Sequence, residues 1–196
     1  MKTEFIKLGE NTKVKVSEDT QFVLDVKANG GDLNQSIDVV FEKSGVSAEI
    51  IGVFKLLGGE EIGLRTSAIH KVPNTQCFTH IKGVLMDKSS SNYVGKIIIE
   101  KDAQQTSSYL EDNILVVGEG TNNISQPILE IEADDVRASH GATTGRINKD
   151  QLFYLQSRGL SEEEAQEVII EGFLNSLLNR IQDETIRNKV KERLNV

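Results

Sequence analysis

The sequence predicts a mainly β protein, a parallel β-helix (β-solenoid) followed by a small C-terminal α-helical domain. Short β-rich runs fill the chain from about residue 12 to 147. Similar runs recur at a period of roughly 30 residues. After residue 148 the spacing of apolar residues changes to that of helices. We therefore expect a β-helix core over residues 1–147 and a helical domain over residues 148–196.

The repeat within the β-rich part favours stacked rungs. The runs that begin at Val53, Val84 and Ile114 are each followed by a polar turn and a second strand. A unit of this kind can bury its inward side chains on the next unit, as in a solenoid. A β-sandwich of hairpins is the alternative, because turns every 8–12 residues or so fit both folds.

Three helices are predicted from their capping residues. Asn148 can cap the segment "KDQLFYLQSR", which ends at Gly159, a residue suited to a left-handed helix stop. Ser161, with Glu164 three residues later, forms a capping box for a second helix. A third short helix is expected after Asp183, with one apolar side.

The second helix carries an apolar stripe at the spacing of an amphipathic helix. Such a stripe can close the exposed end of a solenoid, or it can dock to a partner protein. The predicted stripe consists of Ala165, Val168, Ile169, Phe173, Ser176 or Leu177, and Ile181.

Composition excludes several classes of function. The 22 Lys and Arg against 30 Asp and Glu give a net charge of -8, which disfavours nucleic acid as a partner. No run approaches the roughly 18 apolar residues of a membrane span, and the first residues lack the apolar stretch of a secretion signal. The single cysteine, Cys77, fits a reducing compartment and cannot form a multi-cysteine metal centre alone. We expect a cytoplasmic protein.

The motifs do not favour an enzyme. Ser139 and His140 are adjacent on a predicted strand, so their side chains point to opposite faces and cannot form a nucleophile–base pair. The same alternation separates Cys77 from His80. The chain has no P-loop motif and is therefore not itself a P-loop ATPase. A carbohydrate-acting β-helix would need two carboxylates facing one groove.

His140 is the strongest candidate for a ligand. We interpret the surrounding "SHGATTG" as a turn of small residues between the last strand and the first helix, which leaves the imidazole exposed. Imidazole binds iron and zinc. A structural histidine is the alternative interpretation at this stage.

The segment "DDVRASHGATTGRINKDQLFYLQSRGLSEEEAQEVIIEGFLNSLLNRI" resembles the C-terminal signature of the SufB/SufD family of iron–sulfur cluster assembly proteins. A weaker resemblance extends upstream to about residue 62. It implies a right-handed parallel β-helix and a C-terminal helical domain that binds the SufC ATPase. By this resemblance, His140 matches the histidine that faces the SufB–SufD junction and is implicated in holding a nascent cluster.

The chain departs from the family pattern at specific positions. Many SufD-type members have a cysteine where this chain has Ala138, and SufB-type members have an acidic residue where it has Gly141. The chain therefore leans towards the SufD type. The cysteine of SufB-type members near "YLEDNIL" is absent, and Glu111 and Asp112 lie in the aligned neighbourhood. The chain is also shorter than usual members.

The resemblance implies a non-enzymatic scaffold or accessory subunit that forms a homodimer or a SufB-like heterodimer. His140 would bind a transient Fe–S cluster, or a metal, shared across that interface; a structural β-solenoid without cluster chemistry is the alternative. Contacts with a SufC-like ABC ATPase are expected at Asp150, Leu152, Phe153, Tyr154, Arg158 and Phe173.

Overall fold

A computed structural model of the protein describes all of residues 1–196. It contains eleven β-strands followed by three α-helices. The strands are β1 (Lys2–Lys7), β2 (Thr12–Val16), β3 (Thr20–Asp25), β4 (Gln35–Phe41), β5 (Ser47–Leu56), β6 (Glu61–His70), β7 (Gln76–Met86), β8 (Ser90–Ile99), β9 (Thr106–Val117), β10 (Asn122–Ile131) and β11 (Val136–Arg146). The helices are α1 (Lys149–Ser157), α2 (Glu162–Leu178) and α3 (Glu184–Leu194).

The strands alternate between two parallel sheets. The odd sheet has the order β1-β3-β5-β7-β9-β11, and the even sheet has the order β10-β8-β6-β4-β2. Every pairing between neighbouring strands is parallel. Since hairpins would produce antiparallel pairs, the sandwich alternative is wrong and the predicted β-solenoid is confirmed.

The register agrees with the predicted period, with a small shift in phase. Lys55 pairs with Val84, and Val84 pairs with Leu115. The predicted recurrence placed Val53 opposite Val84, whereas the structure pairs Val53 with Lys82. A shift of two residues keeps side chains on the same face, so hydrophobicity alone does not reveal it.

Alternate side chains of each strand build the interior core between the sheets. On β7, for example, Cys77, Ile81 and Leu85 belong to the interior core, whereas Val84 belongs to a second apolar cluster outside it. Each inward side chain stacks on the equivalent one in the next rung, because the strands are parallel and in register.

The helices pack on the outer face of the odd sheet. Val23, Ile51 and Val84 of this face join α2 and α3 in the second apolar cluster. Of the two interpretations of the helical stripe, closure of the solenoid end is therefore wrong. The buried residues of this stripe also differ from the predicted set: they are Ala165, Ile170, Leu174, Leu177 and Leu178 on α2, with Ile181 after it.

Three predicted stripe residues face elsewhere. Val168 is exposed, and Ile169 and Phe173 are only partly buried. All three line a groove towards α1, and Ile169 and Phe173 also pack against the edge of the second apolar cluster. The predicted stripe was displaced because the apolar residues of α2 cover two adjacent faces, one on the sheet and one beside α1.

The predicted helix starts are confirmed. Asn148 accepts backbone hydrogen bonds at the start of α1, and Ser161 forms a complete capping box with Glu164. Asp183 caps α3. None of these helices is long and apolar enough to cross a membrane.

Candidate functional site

The terminal strand β11 carries the predicted ligand His140. The prediction that the small-residue segment around it forms a turn is wrong, because residues 136–146 form one continuous strand. β11 pairs with β9 only, so the backbone groups on its other edge remain unpaired. An open edge of this kind can pair with another chain.

His140 lies on the inward side of the solenoid, at its open end. It pairs with Leu110, whose side chain is in the interior core. Paired residues of parallel strands share a face, so the imidazole points to the same side as Leu110. It is nevertheless exposed, because no further strand stacks beyond β11. The predicted exposure of the imidazole is confirmed.

Small residues surround His140 along the strand. Ala138 packs against the interior core, and a Cβ added at Gly141 would lie 3.1 Å from the hydroxyl of Tyr109. Ser139 pairs with Tyr109 and so lies on the opposite face from His140. The predicted separation of the Ser139 and His140 side chains onto opposite faces is therefore confirmed.

Asp112 is a buried carboxylate beneath the terminal strand. It pairs with Ala142 of β11 and has 0% of its surface exposed. Neither carboxylate oxygen has a hydrogen-bond partner, and the nearby hydroxyl of Ser125 also lacks one. Burial raises the pKa of Asp112 to about 6. The Ser125 hydroxyl is close enough to lower this pKa by a smaller amount, although the two groups do not meet the distance and angle of a hydrogen bond. From the sequence, only the neighbourhood of this residue could be identified, because its burial depends on the stacked rungs.

The remaining thiol and imidazoles have structural surroundings. Cys77 is buried in the interior core, and this burial raises the pKa of its thiol to about 12. The ring of His70 is bonded to Thr75 at 2.8 Å and to Ser108 at 3.2 Å. Cys77 and His80 lie on opposite faces of β7, as predicted, since Cys77 is interior and His80 contacts groups on the outer face.

The chain contains no group of three or more His, Cys, Asp or Glu side chains arranged to hold a metal ion. His140 with Asp112 can therefore supply at most part of a ligand set. A complete site would need water or side chains from another subunit.

A polar network on the outer face of the odd sheet joins the body to the helices. Gln21 donates to a carboxylate oxygen of Glu49 at 2.7 Å and to the carbonyl of Arg180 at 2.9 Å. Arg180 donates from Nε to the other oxygen of Glu49 at 2.8 Å. His80 lies between Glu49 and Glu111, with Nδ1 3.1 Å from a Glu111 oxygen. Sequence reasoning missed this network, since its members come from five distant segments.

Helix α1 presents most of the predicted partner residues to solvent. It has no buried residue. Phe153 is 72% exposed and Tyr154 is 55% exposed. Arg158 lies over the ring of Tyr154, at 5.2 Å from its centroid. Asp150 is also exposed and Leu152 is half-buried, so α1 offers an aromatic and charged surface.

An apolar groove of about 730 Å³ runs between α1, α2 and the end of β11. The sixth predicted partner residue, Phe173, lines it and is partly buried against the second apolar cluster. The ammonium of Lys82 lies 4.5 Å from the centroid of this ring. The remaining lining residues are Leu115, Arg146, Ile147, Asn148, Asp150, Gln151, Tyr154, Leu155, Val168, Ile169 and Gly172.

These features define a parallel β-solenoid with a helical C-terminal appendage, an open terminal strand and an exposed helical surface. Residues 4–173 match the family model described as SUF system FeS cluster assembly, SufBD core domain. The chain belongs to this SufBD family, which confirms the resemblance.

Similarity to curated proteins extends over most of the chain. The iron-sulfur cluster assembly protein SufD of Escherichia coli (strain K12) is 35% identical over 154 residues, covering 70% of this chain and 36% of that protein. A SufBD family protein of Mycobacterium leprae is 32% identical, covering 84% of this chain and 44% of that protein. SufD of Bacillus subtilis is 33% identical, covering 68% and 30%. The chain thus spans less than half the length of these relatives.

Proposed function

We propose that this chain is a SufD-like scaffold or accessory subunit of iron–sulfur cluster assembly, and that its C-terminal helices dock a SufC-like ABC ATPase. In this proposal the chain acts in the cytoplasm and catalyses no reaction itself. A transient cluster, bound at an interface with a second subunit, is its cargo.

The exposed aromatic surface of α1 is the observation that carries the docking proposal. Phe153 and Tyr154 together leave more than half of their surfaces in water, on a helix with no buried residue. Large aromatic side chains on a protein surface are typical anchors of protein interfaces. The adjacent groove could receive an apolar side chain of the ATPase, between α1 and Phe173.

The open edge of β11 supports the subunit interface. Another SufBD-type chain, identical or SufB-like, could add a strand to this edge. His140 would then lie at the junction and contribute one ligand to the cluster. The only thiol of the chain, Cys77, is buried on β7, which is separated from β11 by β9. Thiolate ligands would therefore come from the second subunit.

The connection between the two surfaces suggests how nucleotide could act on the site. β11 ends at Arg146, and α1 begins at Lys149, so one short link joins the histidine strand to the docking helix. ATP-driven closure of two ATPase subunits would move α1 and, through this link, the edge of β11. The interface would then alternate between an open and a closed state.

Gel filtration with the cognate ATPase tests the docking proposal. We expect a complex with the wild-type chain and a loss of affinity of at least tenfold for Phe153→Ala with Tyr154→Ala. Phe78→Ala is the matched control, because Phe78 is a partly exposed aromatic residue on β7, away from α1. Absence of a complex with the wild-type chain, with and without ATP, would exclude the docking role.

Anaerobic reconstitution with iron and sulfide tests the cluster role. In the presence of a SufB-like partner we expect absorbance near 400 nm, on the order of thiolate-to-iron bands, which falls in His140→Ala. No such absorbance with any partner would favour the alternative, a structural β-solenoid without cluster chemistry.

A further inference from the structure

Asp112 is a buried charge-bearing group for which the folded chain provides no partner. Its exposed fraction is 0%, and both carboxylate oxygens lack hydrogen bonds. Burying a polar group without a hydrogen bond costs a few kcal/mol, and a carboxylate costs more. Because most buried polar groups in proteins are bonded, an exception of this kind indicates a ligand or a functional role.

The position of Asp112 places it next to the open end. Its side chain shares a face with Leu110 and Ile114, which both belong to the interior core. In the direction of the open end, the residue stacked on it is Ala142 of β11. β11 is the last strand of its sheet, so no further strand lies beyond Ala142 at this point of the terminal rung.

Asp112 and His140 are diagonal neighbours on adjacent strands. His140 pairs with Leu110, two residues before Asp112, and both side chains point inward. Strand spacing and rise place their Cα atoms about 8 Å apart, within the joint reach of a carboxylate and an imidazole. Ser125, on the even sheet, adds a hydroxyl without a partner close to the carboxylate.

We propose that Asp112 and His140 are two ligands of a divalent metal ion, of the iron(II) class, at the open end of the solenoid. The oxygen of a carboxylate and the nitrogen of an imidazole are suitable ligands for this ion, and no thiolate is needed. Water or side chains of the joining subunit complete the coordination. The identity of the metal and of the joining subunit rests on the proposed function. Asp112 adds a carboxylate ligand to that site.

Metal titration of the full chain tests this site. Co²⁺ is the spectroscopic probe, and anaerobic calorimetry with Fe²⁺ measures the affinity for iron. We expect the wild-type chain to bind Co²⁺ with visible absorbance, and Asp112→Asn to weaken binding at least tenfold. His140→Ala should weaken it to a similar extent. Asp134→Asn, an exposed acid before β11, is the matched control and should bind as wild type.

The outcomes separate this site from the docking function. Wild-type affinity in Asp112→Asn would overturn the proposal, as would weakened binding in Asp112→Asn but not in His140→Ala. A wild-type chain that binds no Co²⁺ or Fe²⁺, alone or with a SufB-like subunit, would also overturn it. Asp112→Asn should still form the ATPase complex on gel filtration, so loss of that complex in the wild type contradicts only the docking proposal. His140 is exposed, and its variant therefore tests the site without a risk of misfolding.

Discussion

Two inward-facing histidines, one in the middle of the solenoid and one at its end, have opposite surroundings. His70 is fully buried, bonded through both ring nitrogens, and stacked on Phe41 at 4.4 Å between ring centroids. His140 is exposed on the terminal strand. The strands carry both side chains to the same interior face, so the difference comes from whether another rung lies above.

The comparison shows that neighbouring segments supply the partners of His70, whereas no rung lies beyond β11 to supply any at the end of the odd sheet. His70 finds Thr75 in the turn beside it and Ser108 in the next rung. Asp112 lies under the last strand of the odd sheet and finds no partner.

The largest expected contrast is in packing. Ile81 is buried in the interior core between β5 and β9, and Ile81→Ala should lower the free energy of unfolding by about 2–5 kcal/mol through loss of contacts and a cavity. His140→Ala should change it by less than about 0.5 kcal/mol, as expected for an exposed side chain. Urea unfolding measures both, and equal effects would contradict the contrast between middle and end.

Acid should destabilise the protein through His70. Burial lowers the pKa of His70 from 6.5 to about 4, so the folded state favours the neutral ring. The resulting stability is complete above pH 6.5 and is lost as the pH falls towards 4, by about 3 kcal/mol. Unfolding measured between pH 7 and 4 should show this loss in the wild type and in His140→Ala. The slope should diminish in His70→Asn, and an unchanged slope would exclude His70 as its source.

Acid should stabilise the protein through Asp112, which is the opposite of its effect through His70. Burial raises its pKa from 3.8 to about 6, so the stability of the protonated form is complete below pH 3.8 and is lost as the pH rises through 6. In the absence of metal, Asp112→Asn should therefore raise the free energy of unfolding at pH 7 by up to about 3 kcal/mol. The advantage should disappear near pH 4. A destabilised Asp112→Asn at pH 7 would show that the carboxylate has a stabilising contact.

Loss of the polar contacts that attach the helices to the odd sheet should have a smaller effect on the free energy of unfolding. Gln21→Leu removes the hydrogen bonds to Glu49, to the carbonyl of Arg180 and from the amide of Gln182. Unpaired buried polar groups of this kind cost about 1–2 kcal/mol. We expect this loss in urea unfolding and faster hydrogen exchange at residues 180–182. Lys96→Ala is the control, because its ion pair with Glu130 is a partly exposed contact on the even sheet.

Local sequence signals were sufficient for much of the fold. The period near 30 residues predicted stacked rungs, and the caps at Asn148, Ser161 and Asp183 predicted the three helix starts. These features depend on residues close in the chain, so periodicity and capping chemistry reveal them. The candidate ligand His140 and the exposed Phe153 and Tyr154 were also recognisable as residue types in a motif.

Only the tertiary structure decided what covers each surface. The sequence left open whether the stripe of α2 closes the solenoid end or docks to a partner, whereas the helices pack on Val23, Ile51 and Val84 of the odd sheet. It also could not show that Asp112 is buried without a partner, since this depends on β11 lying directly above it. Pattern fixes which face of a strand or helix is apolar, whereas burial and missing partners depend on contacts between residues distant in the chain.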